Sequence, residues 1–278
     1  MSVKVADLGV DEELAKRMPK PPKPGLSQRG WMIVVAPLVA VGIIAGSWEL
    51  AASFVSPVLV PPPQRVVHDF LVLFSRGTAQ GALAISIREL YIGLFIGLIA
   101  GIVLGMLIGR YSMAEGLLGP FINAANATPL NILIPLLIVW VGISSKARIL
   151  FVILITFFPV LLNTAGGLRN VSRGYVEVGQ TMGLNERQLL RKVILPASVP
   201  YILAGVRIGV ALAVIGMIVG EMEVSNVGLG YMLNFYGQGF QTGKLLALVF
   251  LASLIGVFNV TMVRVIQRTF FKWTMVGR

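Results

Sequence analysis

Ser172-Arg-Gly-Tyr-Val-Glu-Val-Gly-Gln-Thr-Met-Gly-Leu-Asn-Glu-Arg-Gln-Leu-Leu-Arg-Lys-Val-Ile-Leu-Pro196 is a charged island between long apolar stretches. It carries Arg173, Glu177, Glu186, Arg187, Arg191 and Lys192, and charge at that density is not stable in hydrocarbon. Yet it has the marks of ordered helices. Asn185 with Gln188 forms a capping-box pattern. Residues 186–194 suit a helix, and Pro196, which lacks an amide N–H, predicts its stop at Leu195. Gly183 separates this helix from an earlier short one expected over residues 174–182. Two short helices on a charged loop make a rigid knob facing water, a shape suited to docking another protein.

Around the island the chain is built for lipid. Hydrophobic residues make up 56% of the 278 and charged residues only 13%, against roughly 25% charged in soluble domains. With a mean hydropathy of +0.85, this predicts an all-α polytopic membrane protein. The sequence has no Cys, which excludes disulfides and thiolate metal sites, and its single His68 lacks the converging donors of a metal centre. The net charge of +11 reads as basic loops on one membrane face rather than as a nucleic-acid surface.

Six apolar segments are each long enough for a bilayer that needs about 20 residues: 31–54, 80–109, 117–141, 147–166, 198–222 and 244–267. Residues 1–30 form a polar tail with a short helix over 8–18 and a Pro-rich spacer. Residues 31–270 form the membrane domain, with the island at 172–196, and 271–278 a short tail. Pro61-Pro62-Pro63 leads into a short helix over 64–75, outside or at the interface. Lys and Arg orient the whole. Lys4, Lys16, Arg17, Lys20, Lys23, Arg29, Arg110, the five basic residues from Arg169 to Lys192, and Arg264, Arg268, Lys272 and Arg278 fall on one side. Arg65, Arg76, Arg88, Lys146, Arg148 and Lys244 fall on the other. The larger set belongs inside, so both termini and the island are expected in the cytoplasm.

Within the spans two patterns stand out. Gly93, Gly97, Gly101, Gly105 and Gly109 recur every four residues, a small-xxx-small stripe that lets helix backbones approach closely. The stripe serves either fixed packing or faces that slide during a conformational cycle. Gly205, Gly209 and Ala213 give the fifth span a shorter version, with Gly216 and Gly220 on another face. Pro120, Pro129 and Pro135 break the third span, and Asn123, Asn126 and Asn131 lie among them. Broken helices survive in membranes where they face protein or a wet cavity, so these asparagines either line a path or bond between helices. Asn163 has the same two readings. Glu221 and Glu223 are gate or interface residues, or simply sit at a wet helix end. Arg88 and Arg207 are candidate positive charges for an anion path, or else interfacial residues that set topology.

No motor is visible in the chain. Gly239-Phe-Gln-Thr-Gly243-Lys244-Leu245 has one residue too few between its glycines for a Walker A motif, and Leu where Ser or Thr would hold magnesium. A Ser/His/Asp set is lacking, as is an intramembrane carboxylate or His relay of the kind that drives proton-coupled transport. Uphill transport by this chain would need energy from a partner.

The spacing inside the island resembles the EAA loop of ABC importer permeases: Glu177-Val178-Gly179, then Gly183, then Val193-Ile194-Leu195-Pro196. Glu177, Gly183, Leu195 and Pro196 match that pattern in identity; Val178 and Gly179 stand for its two alanines and Val193 for its isoleucine. The likeness covers roughly residues 55–270. Ser86-Ile-Arg88, Pro135-Leu-Leu-Ile-Val-Trp140-Val-Gly142, Phe158-Pro159-Val-Leu-Leu-Asn163-Thr164, Leu195-Pro196-Ala197-Ser-Val-Pro200-Tyr201-Ile202 and Ser225-Asn-Val-Gly228-Leu-Gly230-Tyr231 resemble the nitrate/sulfonate/taurine/bicarbonate branch.

That resemblance implies a type I ABC importer permease in a bacterial inner membrane. It implies a second permease copy, identical or not, and an extracytoplasmic solute-binding protein. It also implies ABC ATPase subunits that bind the ATP and magnesium, so this chain would be no enzyme and carry no cofactor. Glu177, Gly183, Val193, Leu195 and Pro196 would couple to the ATPase. Arg187, Arg191 and Lys192 would add rim pairs, unless their charge only sets topology. The competing reading is a self-contained channel or secondary carrier.

Overall fold

The structure, a computed structural model, describes residues 26–271, and of residues 26–34 and 270 the backbone alone. The helix and spacer expected before residue 26 and the tail after residue 271 lie outside the described residues. The described residues up to Phe54 form one unit and those from Val55 a second. The first supplies α1, Leu26–Phe54, whose apolar part Val35–Phe54 has 20 residues, the length that about 30 Å of hydrocarbon requires. The hydroxyls of Ser47 and Ser53 donate to the carbonyls of Ile44 and Leu50 at 2.9 and 2.6 Å, so neither needs water inside the bilayer.

The second unit runs α2 (Pro63–Ser75), α3 (Thr78–Arg110), α4 (Ser112–Ala127), a 3₁₀ turn (Leu130–Leu133), α5 (Ile134–Val141) and α6 (Ser145–Arg169). It continues with α7 (Arg173–Thr181), α8 (Glu186–Leu189), a π turn (Leu190–Ile194), α9 (Leu195–Val224), α10 (Leu229–Gln238) and α11 (Thr242–Phe270). The short α2 is amphipathic, begins on Pro63 at its first turn, buries Val66 and Leu73, and packs on α11.

The core is α6, held between α3 and α9. A Cβ added at Gly93, Gly97, Gly101, Gly105 or Gly109 would lie 2.6–2.9 Å from the Cβ of Val152, Thr156, Val160, Thr164 or Leu168 respectively, far inside contact distance. Each glycine is a notch, and each α6 residue, recurring at the same four-residue step, fills one. Because the notches interlock, a slip of one residue would drive Val152 against Leu94 and every later knob against a side chain, so the interface reads as fixed packing. On the other side of α6, Gly205 meets Asn163 Cβ at 2.7 Å, Gly209 meets Val160 Cγ2 at 2.8 Å and Gly216 meets Ile155 Cγ2 at 2.6 Å. The expectation that Gly216 and Gly220 occupy another face is corrected here. Residues eleven apart differ by only about 20° at 3.6 per turn, so Gly205 with Gly216 and Gly209 with Gly220 share one face.

Two further expectations change. Pro196 does not end the helix that begins at Glu186: Glu186–Val224 is a single span of 39 residues, about 58 Å long at 1.5 Å per residue. The π turn explains this. The Leu195 amide donates to the Leu190 carbonyl five residues back, and widening the helix just before a proline relieves the ring–carbonyl clash that breaks a regular one. The third span is not one crossing rod. Its arms, Ser112–Ala127 and Leu130–Val141, meet at 93°, because Thr128 precedes Pro129 and is forced extended (φ −77°, ψ 128°). Among the described residues five helices are long and apolar enough to cross a membrane, with the bent pair as a sixth if both arms together span it.

The notches make a test. Gly105→Ala is expected to lower stability by about 1–3 kcal/mol through overpacking. Gly116→Ala, where an added Cβ meets nothing within 4 Å, should leave it unchanged or raise it. Thermal unfolding of the two purified variants in detergent checks the difference; equal midpoints would refute the interlock.

Candidate functional site

The knob is closed by local hydrogen bonding. At the end of α7 the Gly183 amide donates to the Gln180 carbonyl at 2.9 Å and the Leu184 amide to the Gly179 carbonyl at 3.1 Å, the paired bonds of a Schellman ending. Gly183 has φ +75°, a region that disfavours any residue with a Cβ. The capping box then starts α8 as expected: the Gln188 amide donates to Asn185 Oδ1 at 2.9 Å and the Asn185 amide to Gln188 Oε1 at 3.0 Å. The two short helices touch at Gly179, where a Cβ would lie 2.6 Å from Leu189 Cδ1 and 3.4 Å from Val193 Cγ2. A side chain there would require the end of Leu189 to move aside.

The EAA positions therefore divide. Gly179, Gly183, Leu189 and the half-buried Val193 and Leu195 build the knob, while Glu177 faces outward with Pro196, Arg187, Arg191 and Lys192. Beside Glu177 lie Tyr175, Val178 and Met182, 63%, 59% and 75% exposed. Spaced three and four apart, they form one apolar stripe along α7 and its C-cap, Met182. The sequence reading passed over this stripe, although apolar residues at helical spacing inside a segment barred from lipid were a usable signal.

The knob is strapped to the membrane helices. Arg110, at the end of α3, donates to Glu186 Oε2 at 2.9 Å. Arg169, at the end of α6, pairs with Glu115 of α4 and donates to the Ile108 carbonyl at 3.3 Å.

A second polar site lies at the opposite end of the same helices, where α3 and α6 begin and α9 ends. Ser86 donates its hydroxyl to Glu221 Oε2 at 2.9 Å and accepts from the Leu229 amide at 2.9 Å; the Gly230 amide donates to the same Glu221 oxygen at 2.7 Å. Glu221 is fully buried, so of its two readings the wet helix end does not apply. Gly228 and Gly230 wrap it so closely that a Cβ at either would lie 2.5–2.6 Å from its side chain. Its other oxygen, Oε1, has no hydrogen-bond partner. One turn along α3, Glu89 accepts from Arg148 Nε and Nη2 at 2.6 and 2.5 Å, with the two residues 3% and 5% exposed. Neither member of this ion pair was singled out from sequence. A Glu inside an apolar span was the missed signal, since an intramembrane charge needs a partner.

The remaining candidates stand apart from one another. Arg88 is exposed, next to the buried Glu89. Arg207 is exposed and donates to Gln267 on α11. Asn123, Asn126 and Asn131 are exposed on the bent segment, where α4 buries no residue. Asn163 donates to the Pro159 carbonyl at 2.8 Å and lines a cavity of about 310 Å³ with Tyr201 and Gly167. Among the described residues no group of three or more His, Cys, Asp or Glu converges on a metal position.

With this geometry in place, comparison decides the family. Residues 93–273 match the binding-protein-dependent transport system inner membrane component. The chain belongs to that family. It is 33% identical over 253 residues to the SsuC permease of Bacillus subtilis, named for aliphatic sulfonates transport, covering 90% of this chain and 91% of that one. It is 37% identical over 246 residues to the SsuC permease of Escherichia coli, covering 87% and 93%. An amino acid ABC transporter structure superposes with a TM-score of 0.59 at 14% identity, over 72% of this chain and 97% of that one, which supports the fold. The chain is thus an ABC importer permease of the binding-protein-dependent type, an all-helical multi-span component of an inner membrane, and a transport subunit rather than an enzyme.

The buried ion pair yields a stability test. Glu89→Ala is expected to cost about 3–5 kcal/mol by stranding the Arg148 charge. The double variant Glu89→Leu/Arg148→Met should lose less than either single change. Denaturant unfolding in detergent would measure both, and a double variant less stable than both singles would count against an energetically coupled pair.

Proposed function

We propose that this permease carries a small anion inward, driven by ABC ATPase subunits that dock on the knob at residues 172–196. ATP and magnesium would be held by those subunits. A solute-binding protein would deliver the anion from outside, a second permease copy, identical or not, would complete the path, and both termini and the knob would lie in the cytoplasm. The observation that carries the reading is the exposed stripe of Tyr175, Val178 and Met182 on a knob rigidly closed at Gly183 and continuous with a membrane helix.

The mechanism follows from stiffness. The rod from Glu186 to Val224 joins the knob to the Glu221 site without a break. A partner seated on α7 would seal the stripe from water, with Glu177 bonding polar groups at its edge. Arg187, Arg191 and Lys192 would form rim pairs that act mainly on docking rate and salt sensitivity. When the partner closes, the knob tilts. Because α3, α6 and α9 interlock, they turn as a block, and the end around Glu221 moves most relative to a pivot near the knob. Alternating access then needs no sliding within the block. Asn123, Asn126, Asn131 and Asn163 would line the path in this scheme, with Arg88 as an exposed cation towards the far end.

The solute is best sought among aliphatic sulfonates and taurine, with nitrate and bicarbonate as the other members of the class; the support is the identity to two permeases named for aliphatic sulfonates transport. A thermal-shift screen of the cognate binding protein against these anions should single one out.

Two substitutions test coupling. In the assembled complex, Met182→Asp and Glu177→Arg should each cut ATP-driven uptake by on the order of tenfold or more, as for loss of an interface anchor, with the chain's own unfolding temperature unchanged. Uptake at the unsubstituted level in both variants would overturn the docking reading. Anion flux through liposomes holding this chain alone would instead establish the self-contained carrier.

A further inference from the structure

We propose that the groove between α9 and α11 is a binding site for an anionic phospholipid, with its headgroup at the knob end. The groove encloses about 660 Å³ and is walled by apolar side chains such as Val214, Ile218, Val249 and Val257, with Arg264 as its one charged lining residue. From Val249 to Arg264 it runs about 22 Å along α11 at 1.5 Å per residue, longer than the roughly 15 Å of one hydrocarbon leaflet. An extended acyl chain fits that shape.

Charge selects the head. Arg264 sits at one end of the groove, Arg268 lies on the same face of α11 one turn further on, and Arg207 lies one turn before the lining residue Ala211 of α9. The Arg207 guanidinium donates to Gln267, which brings the two helices' basic residues to one level. Arg264 and Arg268 are exposed and have no hydrogen-bond or ion-pair partner among the described residues. At 29 residues, α11 outreaches about 30 Å of hydrocarbon by about 13 Å. Arg264, about 9 Å from its end, therefore lies near the headgroup boundary. Three guanidiniums around the mouth of an apolar groove ask for a ligand with an anionic head and a long apolar tail. Arg207 then serves the lipid rather than the solute path.

The site does not rest on the transport reading, so its test needs no transport. The purified full chain in neutral detergent is offered phosphatidylglycerol or phosphatidylcholine, and retained lipid is read by native mass spectrometry. Phosphatidylglycerol should be retained in preference, and Arg264→Gln/Arg268→Gln should reduce its retention on the order of tenfold while leaving phosphatidylcholine unchanged. Gly256 lies on the groove floor, where an added Cβ meets only Val214 Cγ1 at 4.0 Å. Gly256→Phe should therefore fill the groove and expel the lipid with the unfolding temperature intact, which separates loss of the site from loss of the fold. Equal retention of the two lipids by the unsubstituted chain would overturn the proposal. So would undiminished phosphatidylglycerol in the Gly256→Phe variant, or a dimer that excludes lipid, which would make a second copy the occupant.

Discussion

Helices in lipid gain nothing by hiding apolar side chains from water, because the lipid tails are equally apolar. What holds this bundle is contact, and the contact depends on the glycines of α3 and α9 admitting α6 to within touching distance of their backbones. Dispersion falls off steeply with separation, so a notch closed by even one methyl forfeits attraction along a whole turn. Five notches on one side of α6 and three on the other grip that helix on both faces. The bundle is therefore stiff by geometry rather than by polar bonding.

That stiffness gives the knob its meaning. Its own fold is local: a Schellman ending at Gly183, a capping box at Asn185 and Gln188, and one tight contact at Gly179. None of these needs the membrane. The π turn then carries the helix through Pro196 into α9 without a hinge, and Arg110 ties α8 back to α3. A displacement applied at α7 thus reaches two helices of the block by separate routes, one covalent and one ionic.

What was legible in the sequence was what short-range chemistry decides. The capping box, the glycine turn, the four-residue stripe and the apolar lengths of the first, second, fourth and sixth spans are each set by neighbours within a turn or two, and each appeared about where the residues predicted. The misses share a different cause. A proline reads as a helix stop unless the turn before it can widen, and nothing in Leu190 to Ile194 announces a π turn. The 93° break needed the conformation of Thr128, where three prolines in one span offered three places to bend. Glu89 and Arg148 stand 59 residues apart, and only the packing of α3 on α6 makes them partners. The burial of Glu221 likewise depends on a loop that folds back after α9, with glycines at 228 and 230 as its sole local trace.

The two ends of the block differ in how firmly they are closed, and this bears on which of them can move. In the knob itself the turn and helix ends are capped, while along the block Thr156 Oγ1, Thr164 Oγ1 and Asn259 Oδ1 are buried without a partner. At the far end a single oxygen of Glu221 takes bonds from both Ser86 and Gly230, while its second oxygen lies buried without one. An unpaired buried acceptor costs about 1–3 kcal/mol, a cost that opening to water removes. Beside it the Glu89–Arg148 pair is bidentate and sealed, and it holds α3 to α6 whichever state Glu221 adopts. An opening at this end would part the loop and α10 from the block more readily than α3 from α6, because the sealed Glu89–Arg148 pair spans the latter two.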